Sequence, residues 1–97
     1  MNKILVIDDD SAINELIKVN LELCGYKVVQ ACDGIKGFAL CKQELPALVI
    51  LDVMMPDVDG FTVAQRIRKN DDTKNIPIYL KSMIKLTVLI SELTITL

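Results

Sequence analysis

Two acidic sites in this chain each follow directly on an apolar run. Residues 4–7 lead into an acidic run that begins with Asp8 and Asp9, and residues 48–51 lead into Asp52. Four aliphatic residues bounded by polar ones are typical of a strand buried on both faces of a parallel sheet. Ligands bind such sheets at the carboxyl ends of the strands, so two neighbouring strands would bring several carboxylates together. Because close like charges need a cation between them, the pattern predicts a hard-metal site with oxygen ligands.

The residues predicted to carry chemistry are Asp8, Asp9 and Asp52. Carboxylate oxygens suit Mg²⁺, which combines one or two of them with a backbone carbonyl, waters or phosphate oxygens. A carboxylate can also attack phosphorus to give an acyl phosphate, while a metal neutralises charge on the phosphoryl group. An Asp after one strand is more often a turn former or a helix N-cap, which is the role predicted for Asp10. Two strands that end in this way, one of them in an acidic doublet, favour a functional site.

The composition excludes several classes of function. The chain has 97 residues, which corresponds to one domain, and 52% of them are hydrophobic. A net charge of −2 without a Lys/Arg cluster gives no basis for nucleic-acid binding, so we expect this domain not to bind DNA directly. Histidine is absent, which excludes imidazole bases, Ser-His or Cys-His nucleophile pairs and His metal ligands.

Cysteine usage and the first residues bear on location. Cys24, Cys32 and Cys41 are odd in number and lack CxxC spacing, so they are predicted to be small buried hydrophobes in a reducing compartment. Residues 1–3 lead into the first strand without a secretory signal, and the apolar segment 78–97 carries charges that disfavour a membrane span. We therefore expect a cytoplasmic protein without a membrane partner.

Short apolar runs alternate with segments of helical periodicity, which predicts an α/β sheet connected by right-handed crossovers. Ser11 is predicted to cap the first helix, Gly25 to end it, and Ile35 to lie on the inner face of the second. Residues 83–97 contain no Gly, Pro, Ala, Asp or Asn, and their pattern leaves strand and helix open. The predicted strands cover residues 4–7, 28–31, 48–51 and 76–80.

Two blocks of the sequence resemble the receiver domain of two-component response regulators. Residues 3–10 are similar to that family's strand ending in an acidic pair, and residues 51–60 (Leu-Asp-Val-Met-Met-Pro-Asp-Val-Asp-Gly) resemble its phosphoacceptor loop. In this loop the Asp is followed four residues later by Pro and eight residues later by Gly. The resemblance covers about residues 2–80. It implies a flavodoxin-like (CheY-like) doubly wound parallel sheet of strand order 2-1-3-4-5, with the first and third strands side by side.

The resemblance also implies a role for each residue of the acidic site. Asp52 is implied to be the phosphoacceptor and a metal ligand, and Asp9 a direct ligand of Mg²⁺. Asp8 is implied to hold the metal through a water, and the backbone carbonyl of Met54 to complete the protein ligands. The Pro and Gly of the loop are implied to shape the segment that exposes Asp52.

Past residue 80 the sequence departs from the family pattern. Ser82 stands at the family's switch hydroxyl, but Lys81 occupies a normally apolar, buried position and Met83 replaces a small residue. The family's fifth strand with its Lys-Pro and its last helix have no counterpart, so we expect them to be absent. We predict a receiver core over residues 1–82 and an atypical tail over 83–97, which we hypothesise arose by a frameshift or truncation. The sheet edge at the fourth strand is then predicted to be exposed and to invite self-association.

The leading prediction is a signalling module of a phosphorelay rather than an enzyme. A sensor histidine kinase or phosphotransfer protein is implied to phosphorylate Asp52, and the change of conformation is the signal. A degenerate receiver that serves only as an interaction module or decoy is one alternative. A haloacid-dehalogenase-type phosphohydrolase is another, because residues 4–10 also match that family's strand and Asp-x-Asp, with Asp8 as nucleophile and Asp10 as acid/base.

Overall fold

The structure of the chain, a computed structural model, describes residues 2–81. Ser82 and the predicted tail over 83–97 lie outside the described residues. Within residues 2–81, no helix is both long and apolar enough to cross a membrane. Strands and helices alternate as predicted. They are β1 (Lys3–Ile7), α1 (Ser11–Leu23), β2 (Lys27–Ala31), α2 (Gly34–Glu44), β3 (Leu48–Asp52), α3 (Gly60–Lys69) and β4 (Ile78–Lys81).

The strands form one parallel sheet in the order β2-β1-β3-β4. β1 and β3 are neighbours, with Ile7 opposite Leu51, so both strands reach the same edge of the sheet. The residues that follow β1 and the last residue of β3 therefore meet at that edge, which we call the carboxyl rim. The predicted flavodoxin-like order is confirmed for the described strands.

The two faces of the sheet are covered by different helices. Ile4, Val6 and Ile50 pack against Ile17 and Leu21 of α1 on one face. Successive side chains of a strand point to opposite faces, so the intervening residues pack against α2 and α3 on the other face. Burial on both faces is the physical reason why the strands are continuous apolar runs. The buried side chains of the second face are Leu5, Ile7, Val49, Leu51, Cys41, Val63 and Ile67.

The first helix is capped by Asp10 and not by Ser11. The Asp10 side chain accepts hydrogen bonds from the backbone N–H groups of Ala12 and Ile13, at 3.0 and 3.2 Å. The prediction for Ser11 was therefore wrong, because Ser11 is already the first helical residue, and the N-cap role predicted for Asp10 is confirmed. The helix ends just before Gly25, which has the positive φ of 93° that favours glycine at this position.

Two predictions about burial were wrong. Ile35 is exposed, although it was predicted to face inward. The buried face of α2 contains Gly37 and Cys41, and Ile35, two positions before Gly37, lies on the opposite face of the helix. Cys24 and Cys32 are also exposed, which contradicts their predicted role as buried hydrophobes. Cys41 is buried as predicted, and desolvation by burial raises the pKa of its thiol.

Candidate metal and phosphoryl site

Three carboxylates meet at the carboxyl rim. One oxygen of each of Asp8, Asp9 and Asp52 lies within 4.8 Å of the other two. Asp8 and Asp52 are buried and Asp9 is exposed, so the cluster opens to solvent on the side of Asp9. An acidic donor set made only of oxygens suits a hard divalent cation. The structure therefore brings together the three carboxylates that the strand ends predicted, in an arrangement that could bind a metal.

The two carboxylate oxygens of Asp8 have different partners. The backbone N–H of Asp10 donates to Oδ1 of Asp8 at 2.9 Å. Oδ2 of Asp8 is buried, and within residues 2–81 it accepts no hydrogen bond. A buried carboxylate oxygen without a hydrogen bond requires a cationic partner, and here the ammonium of Lys81 lies 3.1 Å from Oδ2. The environment of Asp8 thus fits a cation in the acidic cluster.

Asp52 is the last residue of β3 and is almost fully buried. Desolvation by burial raises the pKa of its carboxyl, and the negative charge of Asp8 raises it further. The backbone N–H of Met54, which donates to Oδ1 of Asp52 at 3.1 Å, and the charge of Lys81 oppose this shift. The ionised carboxylate is therefore held in the folded chain at a cost that a nearby cation would reduce.

Replacing Asp52 by asparagine is expected to stabilise the metal-free protein at neutral pH. A raised folded-state pKa means that ionised Asp52 opposes folding, and this penalty is complete above the folded-state pKa. The penalty disappears as the pH falls toward about 3.9, the ordinary value in an unfolded chain. Urea unfolding with a chelator should therefore show a stability gain for Asp52→Asn at pH 7 that shrinks toward pH 4. A gain that does not change with pH would contradict the assignment.

The loop after β3 forms one wall of a cleft beside the cluster. Met54 is 73% exposed at the surface of this loop, whereas Met55 is buried and anchors the loop to the core. A cleft at this place gives a phosphoryl-sized group a route to the rim. It has a volume of about 430 Å³ and is lined by Asp9, Val53, Met54, Met55, Pro56 and Asp59.

Two contacts fix the path of this loop. The Asp57 carboxylate accepts a hydrogen bond from the backbone N–H of Gly34 at 3.1 Å, which ties the loop to the start of α2. Hydrogen bonds from backbone N–H groups, first that of Val58 and also that of Gly34, lower the pKa of Asp57. The N–H of Gly60 donates to the carbonyl of Val53 at 3.0 Å. A Cβ atom at Gly60 would lie 2.7 Å from the Val53 Cα and even closer to the carbonyl oxygen of Asp52. Only glycine therefore allows α3 to start this close to β3.

Asn14 holds the ends of β1 and β2 together, and it was not among the predicted site residues. Its Nδ2 donates to the carbonyl oxygens of Asp8 and Ala31, at 3.0 and 2.9 Å. Its Oδ1 accepts from Gln30 Nε2 at 2.8 Å. The sequence signal was a polar residue three positions before Ile17 on the buried face of α1. Such a residue must find hydrogen bonds inside the protein, and here it finds them at the rim.

Lys81 ends β4 and reaches the same rim. It pairs with Asp52 in the register of β3 and β4. Its ammonium nitrogen lies 3.1 Å from Oδ2 of Asp8, and both side chains are almost completely buried. The family pattern has an apolar residue at this buried position, and the structure shows that the ammonium found there is paired with a carboxylate. Ser82, the predicted switch hydroxyl, lies outside the described residues.

The doubly wound sheet defines a flavodoxin-like α/β domain, and its acidic rim could bind a metal. Comparison with known proteins makes the assignment specific, since the family model described as "Response regulator receiver domain" matches residues 4–92. The chain belongs to the response regulator receiver domain family. The predicted family and receiver function are thereby confirmed, and domains of this family receive phosphoryl groups in phosphorelays from histidine kinases or phosphotransfer proteins.

Curated relatives include regulators of transcription. The chain is 55% identical over 80 residues to the "DNA-binding dual master transcriptional regulator RpaA" of a Synechocystis species, a match that covers 82% of this chain and 33% of the relative. It is 46% identical over 70 residues to the "Probable transcriptional regulator ycf27" of Porphyridium aerugineum, covering 72% of this chain and 29% of that one. The chain thus spans about a third of the length of these relatives.

Solved structures agree with this fold. The N-terminal domain of a response regulator receiver protein from Methanoculleus marisnigri superposes with a TM-score of 0.83 at 30% identity, covering 95% of this chain and 75% of that chain. The chemotaxis protein CheY4 of Vibrio cholerae superposes with a TM-score of 0.80 at 26% identity, covering 97% of this chain and 80% of that one.

Proposed function

We propose that Asp52 accepts a phosphoryl group from a histidine kinase or phosphotransfer protein, and that the phosphorylated state is the signal. The observation that carries this proposal is the meeting of Asp8, Asp9 and Asp52 at one rim beside an open cleft. The Asp52 carboxylate is the only one of the three that ends a strand. It is therefore fixed by the sheet itself, whereas Asp8 and Asp9 follow the end of their strand.

We propose that the cation of this site is Mg²⁺. Asp9 and Asp52 would bind it directly, Asp8 through a water, and the carbonyl of Met54 would complete the protein ligands. When bound, Mg²⁺ would neutralise charge on the phosphoryl oxygens. The donor set made only of oxygens supports this choice.

In the proposed transfer, an oxygen of Asp52 attacks phosphorus and forms an acyl phosphate. The bond from phosphorus to the nitrogen of the donor phosphohistidine breaks, and the imidazole leaves with that electron pair and takes up a proton. The hydrogen bond from the N–H of Met54 to Oδ1 orients the carboxylate and leaves its other oxygen as the nucleophile. The cleft along residues 53–56 admits the phosphoryl group from solvent.

We further propose that this domain is a signalling module without turnover of a substrate, located in the cytoplasm. Its own surface would bind no nucleic acid. The relatives named as transcriptional regulators are about three times as long, so DNA binding would belong to the parts that this chain does not match. We also propose that the receiver core spans residues 1–82 and that Ser82 is the switch hydroxyl. The chain would self-associate through the exposed sheet edge at the fourth strand.

The phosphohydrolase alternative is disfavoured by the geometry of Asp10. That reading requires the Asp10 carboxylate as acid/base, but the carboxylate caps α1 through two backbone N–H groups. It also leaves the cleft along the loop after β3 without a role. A degenerate receiver that acts only as a decoy is the alternative that experiment has to separate.

Incubation with acetyl phosphate tests the proposal, with the gain of one phosphoryl group followed by intact-mass spectrometry. We expect the gain with Mg²⁺ and its loss when a chelator removes the metal. Asp9→Asn should slow the gain by about tenfold or more, because it removes a proposed metal ligand. Asp71→Asn is the matched control, since Asp71 is an exposed aspartate paired with Lys74 at 3.8 Å. A folded chain that gains no mass with Mg²⁺ would be a decoy.

A further inference from the structure

The acidic rim contains a cation supplied by the chain itself. The ammonium of Lys81 lies 3.1 Å from Oδ2 of Asp8, with the two side chains only 9% and 2% exposed. The pair of Lys74 and Asp71 has the same chemistry, but it spans 3.8 Å and its side chains are 53% and 96% exposed. An exposed pair of that kind contributes little, whereas a buried ammonium is tolerated only if a carboxylate compensates its charge.

Lys81 faces the oxygen of Asp8 that would hold the proposed metal through a water. Oδ1 of Asp8 accepts the N–H of Asp10, so Oδ2 is the oxygen left for a cation. The charge of Lys81 is also felt at Asp52, which is its register partner on β3. One ammonium therefore acts on two of the three carboxylates that form the cluster.

We propose that Lys81 is a tethered cation of the acidic rim that competes with the divalent metal for Asp8 and thereby weakens metal binding. The inference rests on the proposed metal site and adds a residue that sets its affinity. Without metal, Lys81 balances part of the carboxylate charge and keeps the rim assembled. The positive charge of Lys81 would repel a divalent ion at the cluster, and Oδ2 of Asp8 would have to release the ammonium before it could hold that ion through a water.

Lys81→Met tests the competition, because methionine keeps an unbranched side chain of similar length and removes the charge. We expect the Mg²⁺ dissociation constant, measured from the rise of the unfolding midpoint with Mg²⁺ concentration, to fall by about tenfold or more. In chelator, the same variant should unfold at a lower temperature than wild type, because Asp8 has lost its partner. Lys74→Met should leave both quantities unchanged.

The Mg²⁺ titrations distinguish failure of the competition from failure of the metal site itself. Equal Mg²⁺ affinity of Lys81→Met and wild type, with clear stabilisation of both, would overturn the competition and leave the metal site standing. No stabilisation of either protein, with no effect of Asp9→Asn, would overturn the metal site and the competition with it. If Lys81→Met does not fold, wild type with ¹³C-labelled lysine decides by NMR. The Cε signal of Lys81 should move on addition of Mg²⁺ while that of Lys74 does not, and an unmoved Lys81 signal overturns the proposal.

Discussion

Replacing Gly60 by alanine is expected to lower the free energy of unfolding by about 3 kcal/mol, the upper end of the usual cost of overpacking. The added Cβ would meet the carbonyl oxygen of Asp52 and lie 2.7 Å from the Val53 Cα. Both are backbone atoms of β3 and the loop that follows it, so the strain cannot be relieved by a side-chain rotation. In a chain of this size the melting temperature should fall by roughly 12 °C or more.

Gly25→Ala provides the matched comparison. Gly25 has a φ of 93°, but nothing lies within 4 Å of a Cβ built there. Only the left-handed backbone conformation is then penalised, at about 1 kcal/mol. Thermal unfolding of both variants separates the two causes. If Gly60→Ala lowers the free energy of unfolding no more than Gly25→Ala does, the close approach of α3 to β3 is not a constraint on the site.

Asp52→Asn is expected to abolish phosphorylation by acetyl phosphate while it stabilises the metal-free fold. The amide is isosteric with the carboxylate and still offers Oδ1 to the N–H of Met54, so the loop keeps its anchor. It has no anionic oxygen with which to attack phosphorus. Loss of activity together with a gain of stability distinguishes a chemical role from a structural one, because a structural aspartate would lose both.

Asp8→Asn separates the receiver from the phosphohydrolase reading. In the receiver, Asp8 assists the metal through a water, so the variant should slow phosphorylation without removing the acceptor. In the hydrolase, Asp8 would be the nucleophile and no adduct could form without it. A phosphoryl adduct that survives Asp52→Asn and is lost in Asp8→Asn would therefore contradict the account of the site.

The fold could be predicted from the sequence because its strands are buried on both faces. Such strands are continuous apolar runs, and their number and order along the chain are visible without a structure. Helix faces were harder to assign, as Ile35 shows. It was predicted to face inward, but the approach of α2 to the sheet is set by Gly37, whose missing side chain makes room for Ile7. A glycine gives no signal in a hydrophobic pattern.

The acidic cluster could be predicted because its members lie at or directly after the ends of two neighbouring strands, which is a local feature of the sequence. The partners of those carboxylates could not be. Asn14 reaches Asp8 from α1, and Lys81 reaches it from β4. Their positions in the sequence do not indicate that they contact Asp8. From the sequence, Lys81 is only a charged residue at a position that is apolar and buried in the family. The structure shows the carboxylate partner that allows its burial.

The measurement that tests the central claim most directly is the location of the phosphoryl group on the chain. Wild-type protein treated with acetyl phosphate and Mg²⁺ is reduced with borohydride, which converts an aspartyl phosphate into homoserine, and the peptides are sequenced by mass spectrometry. The account predicts homoserine at position 52 and unchanged aspartate at positions 8, 9 and 10. Homoserine at position 8, or none in a protein that gains phosphoryl mass, would contradict it.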